Sequence, residues 1–421
     1  MAFSFDLAVI IQRERRRKVI RRRRREEICK NHHEATREEI PFDLAIEILT
    51  RLPPKSLMRF KSVSELWSSL IRSQYFTNRF LKASSSPPRL YMWLGFENSE
   101  VFLSSSASHS PASDGTTMAS FVVDQDWKIS AVEDYTASHV YRGLMCFTSG
   151  PSAKIYNITT RQLVVLPDIE GSNIIPRDPE MIMYQIGHDP VHDRYKVVCT
   201  VSRRGDRAGG FLTFLSESWI LPLGGGDGSS RWRKIPSRCP PHLPTTQGLT
   251  INGRVHYLAW GKVPYQVLVT IDIHSEEISI LEVPHFIPFF NKTGLIEHGG
   301  RVALLHHWDL KDKCEMELWV MEDEEKNTWS KKTLVLHPSQ MHMVCTTTNG
   351  EVIFVPDKRT FSSGAGKHMF KPQKTTSFYV FLYNLQKNHM TKVDIIESSN
   401  RCHTQTWDVI GFDDTENLMY L

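Results

Sequence analysis

The chain has 421 residues, of which 40% are hydrophobic and 23% charged, with a formal net charge of +4. This length exceeds one minimal core and suits two domains of unequal size, and the composition excludes a fibrous or wholly disordered protein. Seven cysteines without a C-x-x-C pair argue against a disulfide framework or a zinc site. No apolar run approaches the length of a membrane helix, and the basic run follows the short apolar start instead of preceding it. We therefore expect a soluble protein of the nucleus and/or cytoplasm.

The first segment, residues 1–36, is a basic arm. Residues 13–25 contain nine arginines and one lysine against Glu14, a local charge of +9 that leaves −5 on the remainder. Such like charges repel one another and predict disorder. The run fits a nuclear import signal, a solvated extension or a wrongly assigned translation start. Because the rest of the chain lacks a cationic field, we do not expect nucleic acid as a partner.

Residues 37–83 have the pattern of a small helical module. Leu44, Ile48 and Leu52 are spaced four apart, which places an apolar stripe on one face of a helix. Pro53 and Pro54 end that helix, and a second apolar set follows, interrupted around Ser62–Ser64. Forty-odd residues are too few for a self-sufficient core, so part of this apolar surface should contact another protein.

The segment from Ile40 to Ile71, IPFDLAIEILTRLPPKSLMRFKSVSELWSSLI, resembles the F-box. The family pattern I-P-x-D-L-x-x-E-I-L-x-R-L-P-x-K-S-L-x-R-F-x-x-V-S-x-x-W is matched at every specified position. The resemblance implies docking onto a Skp-family adaptor, and through it onto a cullin scaffold. It assigns the adaptor contacts to Ile40, Pro41, Leu44, Ile48, Leu49, Leu52, Pro53 and Leu57, with Val63 and Trp67 in the same helical assembly.

Two positions depart from the usual plant form of this pattern. Glu65 stands where Lys or Arg is usual, and Ser62 where Cys is common. Neither belongs to the leucines and prolines of the implied docking surface. A reversed charge at an interface rim changes association rate and selectivity more than affinity. We therefore expect these two residues to alter adaptor preference.

After a Ser/Pro linker at 84–88, residues 89–421 carry short β-branched and aromatic runs separated by turn signals, which predicts a mainly β domain. Three segments, INGRVHYLAW, HGGRVALLHHW and TNGEVIFVP, place a glycine before a charged residue and valine. These glycines, Gly253, Gly300 and Gly350, suit tight hairpin turns at positive φ. Their spacing fits one four-stranded propeller blade per repeat.

Counting second hairpins between these repeats predicts about five blades. The last stretch, 406–421, would pair with 89–96 to close a sixth and leave no exposed sheet edge. A large irregular β-sandwich is the alternative. The phrases IYNITTRQLVVLP, GHDPVHDRYKVVC and GLTINGRVHYLAW resemble the F-box-associated domain of plants, which implies a kelch-like β-propeller. With the closure described above we expect six blades, and we expect this domain to bind a target protein.

The candidate catalytic and metal-binding clusters have simpler interpretations. His32-His33-Glu34 lies on the arm, and the adjacent His306 and His307 would point to opposite faces of a strand, so neither pair suits one metal ion. Residues 224–228 are glycine-rich without a phosphate-binding signature. Residues 322–325 are acidic but lie at a solvated turn, where nothing raises a carboxyl pKa. We therefore expect no enzyme activity, no metal and no cofactor.

Together these patterns predict a substrate receptor of an SCF-type ubiquitin ligase. It would contribute no chemistry itself, but would hold a target protein near the loaded ubiquitin enzyme. A non-degradative F-box scaffold and a nucleic-acid-binding protein that uses the arm are the alternatives. The sequence does not identify the target.

Overall fold

The structure is a computed structural model. It describes residues 40–83, 88–96, 99–111, 117–132, 134–175, 181–208, 211–224, 231–236, 239–262, 265–284, 293–307, 315–335, 341–347, 350–356, 378–396, 406–419 and 421. The predicted basic arm and most of the predicted linker lie outside these ranges. Within them, no helix is both long and apolar enough to cross a bilayer.

The chain folds into two compact units. One, called here the helical unit, comprises residues 40–83 together with 416–419, and the other, the β unit, comprises residues 88–415 and Leu421. The fold class predicted from the sequence, a small N-terminal α module followed by a β-rich propeller-like domain, is confirmed. The predicted domain boundaries stay predictions.

Four short helices form the helical unit: α1 (Phe42–Thr50), α2 (Pro54–Phe60), α3 (Glu65–Arg72) and α4 (Gln74–Ala83). Proline opens the first two, because Pro41 and Pro53 are their N-caps and a missing N–H is harmless there. Ser64 caps α3, its hydroxyl accepting the N–H of Trp67 at 3.2 Å. The interruption predicted around Ser62–Ser64, within the second apolar set, therefore lies between α2 and α3.

The β unit contains 25 strands within its described ranges. They are β1 (Arg89–Phe96), β2 (Ser99–Pro111), β3 (Thr117–Trp127), β4 (Thr136–Tyr141), β5 (Leu144–Ser149), β6 (Ser152–Asn157), β7 (Gln162–Val165), β8 (Met181–Asp189), β9 (Arg194–Ala208), β10 (Phe211–Pro222), β11 (Arg233–Lys234), β12 (Leu243–Pro244), β13 (Leu249–Ile251), β14 (Arg254–Lys262), β15 (Tyr265–Asp272), β16 (Ile278–Glu282), β17 (Thr293–His298), β18 (Arg301–His306), β19 (Glu315–Asp323), β20 (Thr328–Val335), β21 (Met341–Thr346), β22 (Val352–Pro356), β23 (Phe378–Asn384), β24 (His389–Ile396) and β25 (Thr406–Asp413).

The strands pair in sequential antiparallel groups, β4–β7, β8–β11, β12–β16 and β17–β20, and in one eight-stranded sheet. That sheet joins the group β21–β24 to the group β25, β1, β2 and β3 through a three-residue parallel pairing of β24 with β3. The predicted pairing of the last strand with the first is confirmed, because β25 pairs with β1 from Arg89–Asp413 to Gly95–Thr406. The number of six blades stays a prediction, since it requires counting the two halves of this sheet separately.

The inner strands of these groups, one from each group, lie next to one another in a closed order. β4 contacts β25 and β8, β13 contacts β8 and β17, and β21 contacts β17 and β25. Buried aliphatic side chains fill the space between neighbouring groups, as where Ile251 and Val255 pack with Leu295 and Leu304. The hydrophobic core therefore lies between successive sheets, as a propeller requires.

Two-residue turns at positive φ follow three of these inner strands, β4, β13 and β17. Arg142–Gly143, Asn252–Gly253 and Gly299–Gly300 have φ between 47° and 78° at both positions, the conformation of a type I′ hairpin. The last two confirm the sequence prediction. The first went unrecognised, because arginine is unusual at positive φ. In the third predicted repeat, Thr347 N–H donates to Glu351 O at 2.8 Å and closes a longer loop, whose residues 348–349 lie outside the described ranges.

A second type of turn recurs at the ends of five other strands, and the sequence prediction missed it. An Asn or Asp side chain at the strand end accepts backbone N–H groups two or three residues ahead at 2.9–3.2 Å. Four residues later the chain takes a positive φ of 49–61°. Side chains of this length stabilise turns by replacing a backbone acceptor. The five acceptors are Asn157, Asp189, Asp272, Asp323 and Asn384.

The glycine turns predict unequal costs for the same substitution. A Cβ on Gly300 meets only Asn252 Nδ2, at 4.0 Å, so Gly300→Ala should lower the free energy of unfolding by about 1 kcal/mol through backbone strain. A Cβ on Gly253 would lie 2.7 Å from Pro190 Cδ, so Gly253→Ala should cost about 2–4 kcal/mol. Urea unfolding of both variants measures the difference, and equal midpoints would contradict the packing difference.

Candidate functional site

Helix α1 presents apolar side chains on two faces. Ile46 and Leu49 are 1% and 4% exposed and belong to the core of the helical unit. Leu44 and Ile48, one helical turn apart, are 48% and 47% exposed and face solvent. The stripe predicted from the four-residue spacing is therefore real, but its outward part is not covered by the helical unit.

The exposed apolar side chains of the described chain are concentrated in this small unit. Eleven large hydrophobic residues are exposed, and five of them lie between residues 40 and 75, whereas the other six are spread over the β unit. A concentration of this kind marks an interaction site more often than single exposed residues do. The five are Ile40, Leu44, Ile48, Val63 and Tyr75; we call the first four the apolar surface.

The structure divides the ten predicted adaptor contacts by burial. Six are exposed, namely Ile40, Pro41, Leu44, Ile48, Pro53 and Val63. Leu52 and Trp67 are half-buried against the core, whereas Leu49 and Leu57 lie inside it, Leu57 with no exposure at all. A side chain in the core holds the helices together and cannot reach a partner directly. Direct adaptor contact by any of the ten stays a prediction.

Positive charge accompanies the apolar surface. Residues 40–83 contain seven Lys or Arg and three Asp or Glu. Arg51, the C-cap of α1, forms an ion pair with Glu47 at 2.7 Å. The side chains of Lys55, Arg59 and Arg72 are also exposed. Burial, together with the nearby Arg72, lowers the pKa of Lys61. An acidic partner with apolar side chains complements such a surface.

Comparison with known families decides what these two units are. A model of the F-box domain matches residues 38–79, and a model of the F-box associated beta propeller domain matches residues 89–416. The chain belongs to the F-box proteins with an F-box-associated β-propeller. The helical unit thus contains the F-box, and the β unit contains the F-box-associated domain.

Curated relatives in Arabidopsis thaliana resemble the whole chain. An F-box/kelch-repeat protein is 58% identical over 440 residues and an F-box protein is 53% identical over 434 residues, each match covering 100% of both chains. Solved structures are much more distant. The N-terminal domain of Nup159 has a TM-score of 0.30 and 12% identity over 62% of this chain and 61% of that one, which carries no argument.

Two clefts on the β unit lie beside the Gly299–Gly300 turn. One, of about 360 Å³, is lined by Asn252, Arg254, Arg301 and Glu322 among others. The other, of about 420 Å³, includes Glu297, His298, Thr347 and Asn384. Arg254 binds Glu324 at 2.6 Å and Arg301 pairs with Glu322, so the charges of the first cleft are largely compensated. Apolar side chains also line the first cleft, namely Ile251, Val302 and Met321.

One cluster combines a carboxylate with two histidines. Asp189 is 1% exposed, and its oxygens lie 3.0 Å from His192 Nδ1, 3.2 Å from His274 Nδ1 and 3.5 Å from Lys196 Nζ. The ligand atoms of Asp189, His192 and His274 lie within 4.8 Å of one another, as a metal site requires. However, the carboxylate also accepts the N–H groups of Val191 and His192, and the lysine already supplies a positive charge.

The surroundings of Asp189 therefore fit a turn better than a metal. Burial alone raises the pKa of its carboxyl, but hydrogen bonds from His192 and the backbone outweigh burial and hold that pKa well below its ordinary value. The same Asn/Asp turn recurs elsewhere without histidines. Our expectation that the chain holds no metal stays a prediction.

The other suspected clusters have the simple interpretation that the sequence favoured. A hydrogen bond from Ser330 lowers the pKa of Glu322, and one from the N–H of Lys326 lowers that of Asp323, so neither carboxyl is prepared to donate a proton. His307 is 3% exposed and packs edge-on against Phe354, while His306 bonds Thr293 Oγ1 at 2.8 Å. The glycine-rich segment lies almost wholly outside the described ranges.

The strongly shifted histidines are buried residues of the β unit. Burial lowers the pKa of His139 and of His256 to about 4. His139 Nε2 accepts the N–H of Ile186 at 3.2 Å, and His256 Nδ1 lies 2.9 Å from Thr270 Oγ1. His139 is a structural acceptor, and desolvation holds both imidazoles neutral.

This burial predicts acid sensitivity. An unfolded histidine titrates near pH 6.5 and a buried one near 4, so the unfolded chain binds more protons between these values and stability falls as pH drops through them. Each histidine should remove about 2 kcal/mol between pH 7.5 and pH 5. His256→Asn, which keeps a polar partner for Thr270, should lose less stability over this range in urea unfolding. The same pH dependence in variant and wild type would contradict the assignment.

Proposed function

We propose that this protein is a substrate receptor of an SCF-type ubiquitin ligase. Its F-box docks onto a Skp-family adaptor that is joined to a cullin scaffold, and its β-propeller binds a target protein for ubiquitination. The receptor itself is non-catalytic. The observation that carries the proposal is the apolar surface of four aliphatic side chains in a unit whose sequence matches the F-box model.

Burial on docking supplies the affinity. Leu44 and Ile48 are half exposed on one face of α1, and Ile40 and Val63 are 62% and 65% exposed. Covering such side chains contributes about 25 cal/mol per Å² of apolar area. Leu49 and Leu57 support docking indirectly, because they fix the helices that present the surface.

The β unit supplies target recognition. Its short turns connect paired strands, and binding loops are commonly presented on a scaffold of this kind. The two clefts beside Gly299–Gly300 are the sites we propose for contact with the target. Holding the target near a loaded enzyme raises its effective concentration without any chemistry by the receptor.

The apolar surface predicts a separation of binding from stability. The double variant Leu44→Ala/Ile48→Ala should weaken binding of a purified Skp-family adaptor by about 2–4 kcal/mol, because it removes side chains buried only in the complex. Its free energy of unfolding should change by no more than about 0.5 kcal/mol. Isothermal titration and urea unfolding measure the two quantities.

A matched control carries the same kind of substitution on the β unit. Val165 and Val335 are 62% and 59% exposed, and Val165→Ala/Val335→Ala should leave adaptor affinity unchanged. Leu57→Ala should instead lower the free energy of unfolding by about 2–5 kcal/mol, since Leu57 is in the core. Wild-type adaptor affinity in the Leu44/Ile48 variant would refute the docking surface.

The exposed cations predict salt-sensitive association. Raising NaCl from 50 to 500 mM should slow adaptor association roughly tenfold with little change in dissociation rate. Lys55→Glu/Arg59→Glu should slow association at low salt, whereas Arg231→Glu on the β unit should not. Stopped-flow measurements separate the two rates. A salt effect confined to dissociation would contradict electrostatic steering.

A further inference from the structure

The helical unit contains a second segment, from the opposite end of the chain. Residues 416–419 group with residues 40–83 as one compact unit. Leu418 is 1% exposed and lies in one hydrophobic cluster with residues of α1 to α4. Its neighbours in that cluster are Ile46, Leu49, Leu57, Leu70, Ile71, Phe76 and Phe80.

The segment around Leu418 is specifically shaped although it is neither helix nor strand. Asn417 is fully buried, and its Oδ1 accepts the N–H of Met419 at 2.8 Å, which closes a turn around Leu418. Chain ends usually fray unless burial and hydrogen bonds hold them. Here both are present.

Residues on either side of this segment are also held. The buried carboxylate of Asp413 accepts the N–H groups of Gly143 and Thr415, each at 2.8 Å. At the far side, Leu421 N–H donates to Gln162 Oε1 at 2.9 Å, and Gln162 Nε2 donates to Leu421 O at 2.8 Å. The path of the last residues is therefore determined at several points.

We propose that residues 416–419 are an integral part of the F-box core, so that the F-box becomes competent to dock only when this segment is present. The F-box model ends at residue 79 and the propeller model at 416, so neither includes Leu418. Because a core of about forty residues is marginal, one missing aliphatic residue has a large effect.

A biological consequence follows from the order of synthesis. The F-box segment is synthesised before residues 416–419, since translation proceeds from the N-terminus. A prematurely terminated chain would present an incomplete F-box core and would not hold the adaptor. The docking part of this inference depends on the proposed function, whereas the core-packing part does not.

Hydrogen exchange of full-length variants tests the packing part without any adaptor. Leu418→Ala should accelerate exchange of the protected amides in α1 to α4 by about 30-fold or more, the factor expected for a buried leucine, and should leave β14 and β19 unchanged. Met419→Ala, at the half-buried neighbouring position, is the matched control and should have a much smaller effect. Unchanged exchange in the helices of Leu418→Ala would overturn the proposal.

Two further measurements test the docking part. A chain that ends after Thr415 should lose binding of a purified Skp-family adaptor, and a synthetic peptide of residues 414–421 added in excess should restore slow exchange in the helices. Full adaptor affinity in the truncated chain would overturn the completeness requirement. If the wild-type chain itself fails to bind the adaptor, the proposed function is wrong, while the exchange result still decides the packing of Leu418.

Discussion

The pairing of β25 with β1 is the constraint on which the β unit depends. It joins residues more than 300 positions apart, through a ladder from Arg89–Asp413 to Gly95–Thr406. Without it, β1 would present unpaired backbone groups along one edge, and the closed order of inner strands would be interrupted. The last residue of β25, Asp413, adds a second link because its carboxylate accepts the N–H of Gly143. Burial raises the pKa of this carboxyl to about 6, because removing the carboxylate from water disfavours its charged form.

Local turn chemistry explains how a chain with few long elements reaches this closure. Glycine turns at positive φ set the register of one hairpin in three groups, and Asn or Asp side chains organise other hairpins. Each group is thereby largely specified by its own sequence, and only the closing group needs both ends of the chain. The F-box differs because it is not specified by its local sequence alone. Its helices are short, and its core includes Leu418, which is distant in sequence.

Much of this was predictable from the sequence, for identifiable reasons. Asn252–Gly253 and Gly299–Gly300 are recognisable because few residues other than glycine tolerate their φ values, and the F-box pattern fixes most of its positions. Arg142–Gly143 escaped prediction because arginine gives no turn signal. The Asn/Asp turns have a signal, an Asn or Asp at a strand end with a residue at positive φ four positions on, but it becomes evident only when the repeats are aligned. Leu418 has no signal, because its partners lie more than 330 residues away.

The docking surface, too, could be predicted from the sequence only in part. A four-residue spacing identifies Leu44, Ile48 and Leu52 as one stripe, but it does not show which side of α1 faces the core. Only packing separates the buried Ile46 and Leu49 from the exposed Leu44 and Ile48. The pattern of a family marks both kinds of residue equally, since core and contact residues are both required for docking.

Side-chain footprinting of the complex tests whether the F-box docks onto the adaptor through its exposed aliphatic side chains. Radical labelling of the full-length protein, with and without a purified Skp-family adaptor, reports the accessibility of each aliphatic side chain. We expect Ile40, Leu44, Ile48 and Val63 to lose labelling when the adaptor binds, while Val165 and Val335 keep theirs. Unchanged labelling of the four F-box side chains in a saturated complex would show that the F-box does not dock through them.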